Sequence, residues 1–308
     1  MTLHSRTGRR RLLVIYNPVA GGRARRRFEA ALKEMRELGV ETVLRETRSS
    51  GDAEAFAREA TAEDFDGVVV AGGDGTLNEA VNGLRDLRLP VAVFPFGTGN
   101  VLAHEIGMPR SPARLAAIAA AGPVRPISVG EAVFENQPVV RRFLLMTGVG
   151  FDAEVVEGLD LGLKRRAGKL AFVWSILKRL WRYRPTEFSV TLEGETGVSE
   201  HHAASAVATK ARCYAGPFVL APAAQLSNRS FQLALFRNAG RRAALGYLVA
   251  LAGGFLHRLT DIEFATARAA RFTLPRGAPV QIDGDVAGLL PVTIRIAAEP
   301  LLLVYPSV

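Results

Sequence analysis

The run Val68-Val69-Val70-Ala71-Gly72-Gly73-Asp74-Gly75-Thr76-Leu77-Asn78-Glu79-Ala80-Val81 decides how this chain folds. Its first four residues are apolar and mostly β-branched, as a strand covered on both faces of a parallel sheet requires. Leu77, Val81 and Leu84 then recur at helical spacing. Between strand and helix, Gly72, Gly73 and Gly75 let the backbone fold tightly and turn successive N–H groups toward one point. Lying before a helix N-terminus, that point suits a phosphate. Thr76 can cap the helix or hydrogen-bond a phosphate oxygen. Asp74 is the odd member, because a carboxylate beside phosphates repels them unless a cation bridges the two. Mg²⁺ supplies such a bridge. The plain alternative is a tight strand-to-helix turn that contains an Asp.

The same grammar extends on both sides. Short apolar runs at 12–16, 40–44, 68–71 and 91–94 alternate with helical patterns at 28–38, 52–60 and 77–84, which predicts a doubly wound α/β sheet. In such a sheet the loops at the carboxyl ends of the strands line one crevice. Two further loops then join the first: Asn17-Pro18-Val19-Ala20-Gly21-Gly22 with Arg23 behind it, and Pro95-Phe96-Gly97-Thr98-Gly99-Asn100. After Gly122-Pro123 the pattern changes to longer strands at 127–134, 139–146, 187–192, 198–209 and 231–236, then 278–282, 292–296 and 301–305. Helical inserts at 169–183 and 241–259 interrupt them. This predicts a mostly antiparallel, β-rich second domain over 127–297, with 1–126 forming the first domain and the apolar last strand, within 298–308, returning to complete it.

Charge narrows the partners. The 308 residues hold 39 Lys+Arg against 30 Asp+Glu, a formal charge of +9. Eight arginines fall between positions 1 and 28 and eight cations between 161 and 186, neither stretch with a carboxylate. Without those sixteen the remainder is net negative by seven, so the basicity is local and fits one anionic surface rather than nucleic acid. The helical insert 169–183 carries Trp174 and Trp181 on an apolar stripe beside Lys178, Arg179 and Arg182. That suits an interfacial helix on anionic lipid, or equally a packed helix with a solvated basic edge. The single Cys213 excludes an internal disulfide framework, and the five histidines show no zinc-ligand spacing. The basic start is followed by only a short apolar run, so no signal peptide is expected, and the apolar stretch 243–256 is too short to span a bilayer. A cytoplasmic, peripherally membrane-associated protein is the expectation.

Asn17-Pro18-x-x-Gly21, Gly72-Gly73-Asp74-Gly75-Thr76-x-Asn78-Glu79, Gly97-Thr98-x-Asn100, Gly148-x-Gly150-Phe151-Asp152 and Asp283-Gly284-Asp285 together resemble, in order, the landmarks of the diacylglycerol kinase catalytic-domain family, which includes bacterial lipid kinases and sphingosine kinases. The resemblance spans essentially the whole chain. It implies ATP bound between the α/β and β-rich domains, Mg²⁺, and phosphorylation of a lipid hydroxyl at an anionic membrane surface. A homodimer is compatible with it. Carried over by position, it puts Asn17, Gly21, Thr47, Gly72, Gly73, Asp74, Gly75, Thr76, Gly97, Thr98 and Asn100 around the nucleotide, with Asp74 on the metal. Asp152 and Glu154 fall on the acceptor side.

The family's general base is the glutamate of an Asp-Gly-Glu string; here Asp285 stands there, one methylene shorter. Asp285 is thus the implied base, while Asp-Gly is also a strong hairpin-turn signal in its own right. Other departures are Ala20 for a serine, Val101 for an aspartate, and Leu226-Ser227-Asn228-Arg229 where members with an accessory Mg²⁺ carry Leu-Asp-Asp-Gly. By this reading that metal site is absent here. The Gly72-to-Thr76 string alone is also similar to NAD kinases, and the missing acids leave open a non-catalytic nucleotide- or lipid-binding regulator. Gly148-x-Gly150-x-x-Ala153 matches a dinucleotide fingerprint but lacks the βαβ context. No Walker A lysine or His-Arg-Asp kinase loop is present.

Overall fold

The nearly unbroken apolar runs of the N-terminal half become the inner strands of a parallel sheet. In this computed structural model, residues 8–19, 24–137, 139–150, 153, 187–194, 197–214, 216–238, 240–273 and 277–307 are described. The chain divides into one unit of Met1–Ile127 with Glu299–Val308 and a second of Ser128–Ala298.

The first unit runs β1 (Arg11–Tyr16), α1 (Ala24–Glu37), β2 (Glu41–Glu46), α2 (Asp52–Arg58), β3 (Gly67–Gly72), α3 (Asp74–Gly83), β4 (Val91–Pro95), α4 (Val101–Glu105), α5 (Pro112–Ala121) and β5 (Val124–Ile127). The chain's last strand, Leu301–Val304, lies between β4 and β5, giving a six-stranded sheet. It pairs parallel with β4 and antiparallel with β5. β1 has β2 on one side and β3 on the other, all parallel. The chain therefore reverses direction across the sheet at β1/β3, the place where doubly wound sheets open a crevice at their carboxyl ends. β3 and β4 are buried along their whole length. α1 packs with α5, and α2 with α3. Under the first of these layers, Tyr16 stacks on Phe28 at 3.8 Å, and Phe28 meets Phe96 edge-on.

The second unit is a sandwich of two six-stranded sheets plus a small ribbon. Its strands are β6 (Gly130–Phe134), β7 (Val140–Phe143), β8 (Met146–Gly150), β9 (Phe188–Gly194), β10 (Gly197–Ala203), β11 (Ser205–Thr209), β12 (Cys213–Tyr214), β13 (Phe218–Val219), β14 (Phe231–Phe236), then, after α6 (Arg241–Ala252), β15 (Ile262–Ala267), β16 (Ala269–Phe272), β17 (Pro279–Ile282), β18 (Asp285–Leu289) and β19 (Val292–Ile296). The last strand is β20. One sheet has the order β10-β9-β16-β19-β6-β7 and the other β15-β14-β11-β8-β17-β18. Alternate residues of both sheets, among them Phe134, Phe143, Phe188, Phe231, Phe272 and Ile294, form one buried core.

Three long strands expected from the sequence are each broken in the structure. The run at 127–134 breaks at Ser128-Val129, so that Val124–Ile127 belongs to the first sheet and Gly130–Phe134 to the sandwich. The run at 139–146 breaks at Leu144-Leu145, because their amides and that of Met146 turn inward to the Asp283 carboxylate. The run at 198–209 breaks at Ala204, where the chain passes from one sheet to the other and the amide bonds to the Phe236 carbonyl. The helix expected over 241–259 stops at Ala252, before Gly253-Gly254. The insert at 169–183 lies outside the described residues.

Candidate functional site

The three loops sit at the carboxyl ends of β1, β3 and β4. Main-chain bonds tie them: Asn17 N–H donates to the Ala71 carbonyl (2.9 Å), and the Phe96 and Gly97 amides both donate to the Gly72 carbonyl (3.0 Å). The second and third loops approach so closely that a Cβ on Gly97 would lie 2.4 Å from the Gly73 Cα. Glycine is needed here for the contact itself, and the contact leaves main chain rather than side chains facing outward.

Side chains complete the frame. Asn17 Nδ2 donates to Thr76 Oγ1 (3.0 Å), while its Oδ1 accepts from Val19 N–H (3.1 Å). Thr76 is therefore bound to the first loop and does not cap α3, whose N-cap is Gly73. Asn100, at φ 48°, donates from Nδ2 to the Gly97 carbonyl (2.6 Å) and closes the third loop on itself. Thr98 is exposed at the tip of that loop. Thr47 is buried, and its amide donates to the Tyr16 carbonyl (2.8 Å), continuing the β1–β2 ladder into a fourth loop.

Asp74 has main-chain partners on the neighbouring loop. Its Oδ2 accepts from Val101 N–H (2.9 Å) and its Oδ1 from Leu102 N–H (3.2 Å). The carboxylate caps α4 from the neighbouring loop, so its presence does not require a bridging cation. Burial raises its pKa above the usual carboxylate range, and the two amides partly oppose that rise. Among the described residues no group of three His, Cys, Asp or Glu side chains gathers as a metal site.

A residue left without a role at first is Glu79. From α3 it accepts Ser50 Oγ (3.0 Å) and Gly51 N–H (3.0 Å), fixing the loop that follows Thr47. Asp52 holds the same loop by accepting Arg48 N–H (2.7 Å) and Ser49 N–H (2.9 Å). The signal was present, since Glu79 ends the glycine-rich string and Asp52 follows Gly51.

In the second unit, Ile282 and Asp285 pair across a two-residue turn whose central residues, Asp283 (φ 48°) and Gly284 (φ 94°), both have positive φ. That is the type I′ hairpin. Asp283 is buried, and its carboxylate accepts three amides, from Leu144 (2.8 Å), Leu145 (3.0 Å) and Met146 (2.9 Å). Asp285 is exposed at the start of β18. The structure thus brings Asn17, Thr47, Gly72, Gly73, Asp74, Gly75, Thr76, Gly97, Thr98 and Asn100 together in one unit and carries Asp285 on the other. Gly21, Asp152 and Glu154 lie outside the described residues.

Comparison with known proteins finds two family matches along the chain. Residues 11–132 match the model of the diacylglycerol kinase catalytic domain, and 146–305 that of the YegS C-terminal NAD kinase beta sandwich-like domain. The chain is 29% identical over 287 residues to a diacylglycerol kinase of Bacillus subtilis (strain 168), covering 92% of each. It is 26% identical over 299 residues to a diacylglycerol kinase of Mycobacterium tuberculosis (strain ATCC 25618 / H37Rv), covering 96% of this chain and 95% of the other. A crystal structure of a diacylglycerol kinase from Bacillus anthracis str. Sterne shares the fold, with a TM-score of 0.72 at 22% identity over 97% of both chains.

Proposed function

This chain belongs to the diacylglycerol kinase family of lipid kinases, and on that premise we propose that it transfers the γ-phosphoryl group of ATP to the hydroxyl of a lipid such as diacylglycerol or a sphingoid base. The observation that carries the reading is the glycine cradle, where Gly73 and Gly97 touch through main chain at the head of α3. The first amides of a helix have no intrahelical acceptor and point outward, so they suit the phosphates of a nucleotide. Asn17, Thr76 and Asn100 hold that cradle rigid, as electrostatic stabilisation of phosphoryl transfer demands.

The cradle fits a nucleotide that arrives with its own Mg²⁺, since the ion takes most of its ligands from phosphates and water and few from protein. When bound, Mg²⁺ neutralises the phosphate charge. Asp74, with both oxygens already accepting amides, would hold the ion through its remaining lone pairs and otherwise keeps the second and third loops in register. In the second unit, Asp285 is the proposed base: it is exposed, acidic and mounted on a turn that Asp283 anchors. It would take the proton from the acceptor hydroxyl as the phosphoryl group arrives.

Peripheral contact with an anionic membrane is also part of the proposal. α6 and the turn after it hold no acid from 240 to 260. Leu245, Val249 and Phe255 are exposed there, beside exposed Arg241, Arg242 and Arg258. Apolar side chains among cations suit the headgroup layer of such a membrane. Among the described residues no helix is long and apolar enough to cross it.

The test is transfer of label from [γ-³²P]ATP to a lipid extract and, separately, to NAD, resolved by thin-layer chromatography. Labelled lipid is the expected product. Label on NAD alone would move the chain to the nucleotide kinases, and ATP binding with no labelled product would make it a binding protein.

A further inference from the structure

Lys210 is a buried charge that the proposed reaction leaves unused. It follows β11 directly and is fully enclosed, with 0% of its surface exposed. Its partners are main-chain carbonyls: Nζ donates to the Ser230 carbonyl at 2.7 Å and to the Asn228 carbonyl. The carbonyls of Leu226 and Ser227 in the same loop are held by Ser128, through its amide (2.8 Å) and Oγ (3.3 Å). The loop at 226–230 therefore turns its carbonyls inward while the Ser227, Asn228 and Arg229 side chains face solvent.

Inward carbonyls about one positive charge are the surroundings of a hard cation. This is also the segment where the family pattern carries Leu-Asp-Asp-Gly and an accessory Mg²⁺. Here the residues do not fit that ion. A hydroxyl and an amide stand in place of two carboxylates, and an ammonium already occupies the carbonyls of Asn228 and Ser230. A divalent ion brought to those oxygens would be repelled by Lys210 at short range.

We infer that Lys210 is a built-in cation, its ammonium holding the loop at 226–230 in place of the accessory divalent metal. Being tethered to β11, it stays in place whatever the metal concentration, so the start of β14 is ordered without any ion from solution. Burial pushes the Lys210 ammonium down to about 8, which leaves it mostly charged at neutral pH.

The test uses the full chain without nucleotide, so that no metal enters with phosphates. The melting temperature of the wild type should be the same in EDTA and in millimolar Mg²⁺, and Mn²⁺ added at stoichiometric level should remain free by electron paramagnetic resonance. Lys210→Met should lower the melting temperature by about 5 °C or more through the orphaned carbonyls, with no recovery in Mg²⁺. A triple variant, Lys210→Ala with Ser227→Asp and Asn228→Asp, should gain a Mg²⁺-dependent rise. Wild-type protein that binds Mn²⁺ or melts higher in Mg²⁺ would overturn the inference. So would an unchanged melting temperature for Lys210→Met, or a folded triple variant indifferent to Mg²⁺. Where the variants fail to fold, the wild-type titration decides.

Discussion

Asp74 and Asp283 perform one task in different units. Each carboxylate collects main-chain amides from a segment remote in sequence, and each fixes a turn that carries candidate chemistry. For Asp74 this makes stability and activity fall together. Asp74→Asn keeps one acceptor for two amides, so it should cost about 1–3 kcal/mol of stability by calorimetry and cut lipid phosphorylation by orders of magnitude. Unchanged stability would mean that α4 caps itself. Asp285 should behave differently, because it sits exposed on the turn that Asp283 supports. Asp285→Asn should abolish transfer while ATP binding by calorimetry persists, and Asp285→Glu should keep measurable turnover. Near-full turnover by Asp285→Asn would leave the hairpin as a turn alone.

Lys210 gives a pH dependence of known sign. Its folded-state pKa of about 8 lies below the ordinary 10.5, so between those values the unfolded chain binds more protons than the folded one. Stability should then rise as pH climbs from about 8 to 10.5, by up to about 3 kcal/mol, because burial penalises the charge while the amine left behind still donates to the Asn228 and Ser230 carbonyls. Denaturant midpoints for wild type and Lys210→Met should diverge across that window; a constant gap would contradict the depressed pKa.

At the scale of elements, legibility followed the contrast between apolar runs and glycine. β1, β3, β4 and their loops were readable because an all-apolar strand ends abruptly in a glycine turn at a parallel sheet's edge. The corners of the sandwich were not, because at Leu144-Leu145 and Ala204 the apolar run continues while the chain changes sheets. The signal for the first corner lies on Asp283, 139 positions after Leu144. β15 and β16 were missed for another reason: Glu263, Arg268 and Arg271 interrupt their short apolar pattern. The site shows the same split. Its glycines, Asn17 and Thr76 were visible as a string, whereas the bond from Asp74 to α4 depends on how two loops meet. Exposure of α6, similarly, was a matter of packing. Leu245→Gln with Val249→Gln should weaken sedimentation with acidic liposomes several-fold and leave ATP affinity unchanged; equal sedimentation would exclude α6 from the membrane surface.

Over the whole molecule, the two units differ in how their chain segments are arranged. The sandwich is built from one continuous stretch, Ser128–Ala298, whereas the α/β unit needs both Met1–Ile127 and Glu299–Val308. Removing 299–308 should therefore damage the unit at the other end of the sequence. Nucleotide binding should be lost while the sandwich keeps a calorimetric transition of its own; retained ATP binding by the truncated chain would show that β4 and β5 close without β20.

That arrangement also sets an order of events on the ribosome. Most of the α/β unit emerges before the sandwich, yet its sheet waits with a slot open between β4 and β5 until β20 has been translated. At about 5–20 residues per second, synthesis of the intervening sandwich occupies roughly 10–30 s. Through that interval the open side of β4 at Val91 and the whole of β5 lack β20 as a partner, a ready template for another nascent chain. The α/β unit, most of which is translated before the sandwich, is thus the last to finish folding, and the one most in need of a chaperone on the way.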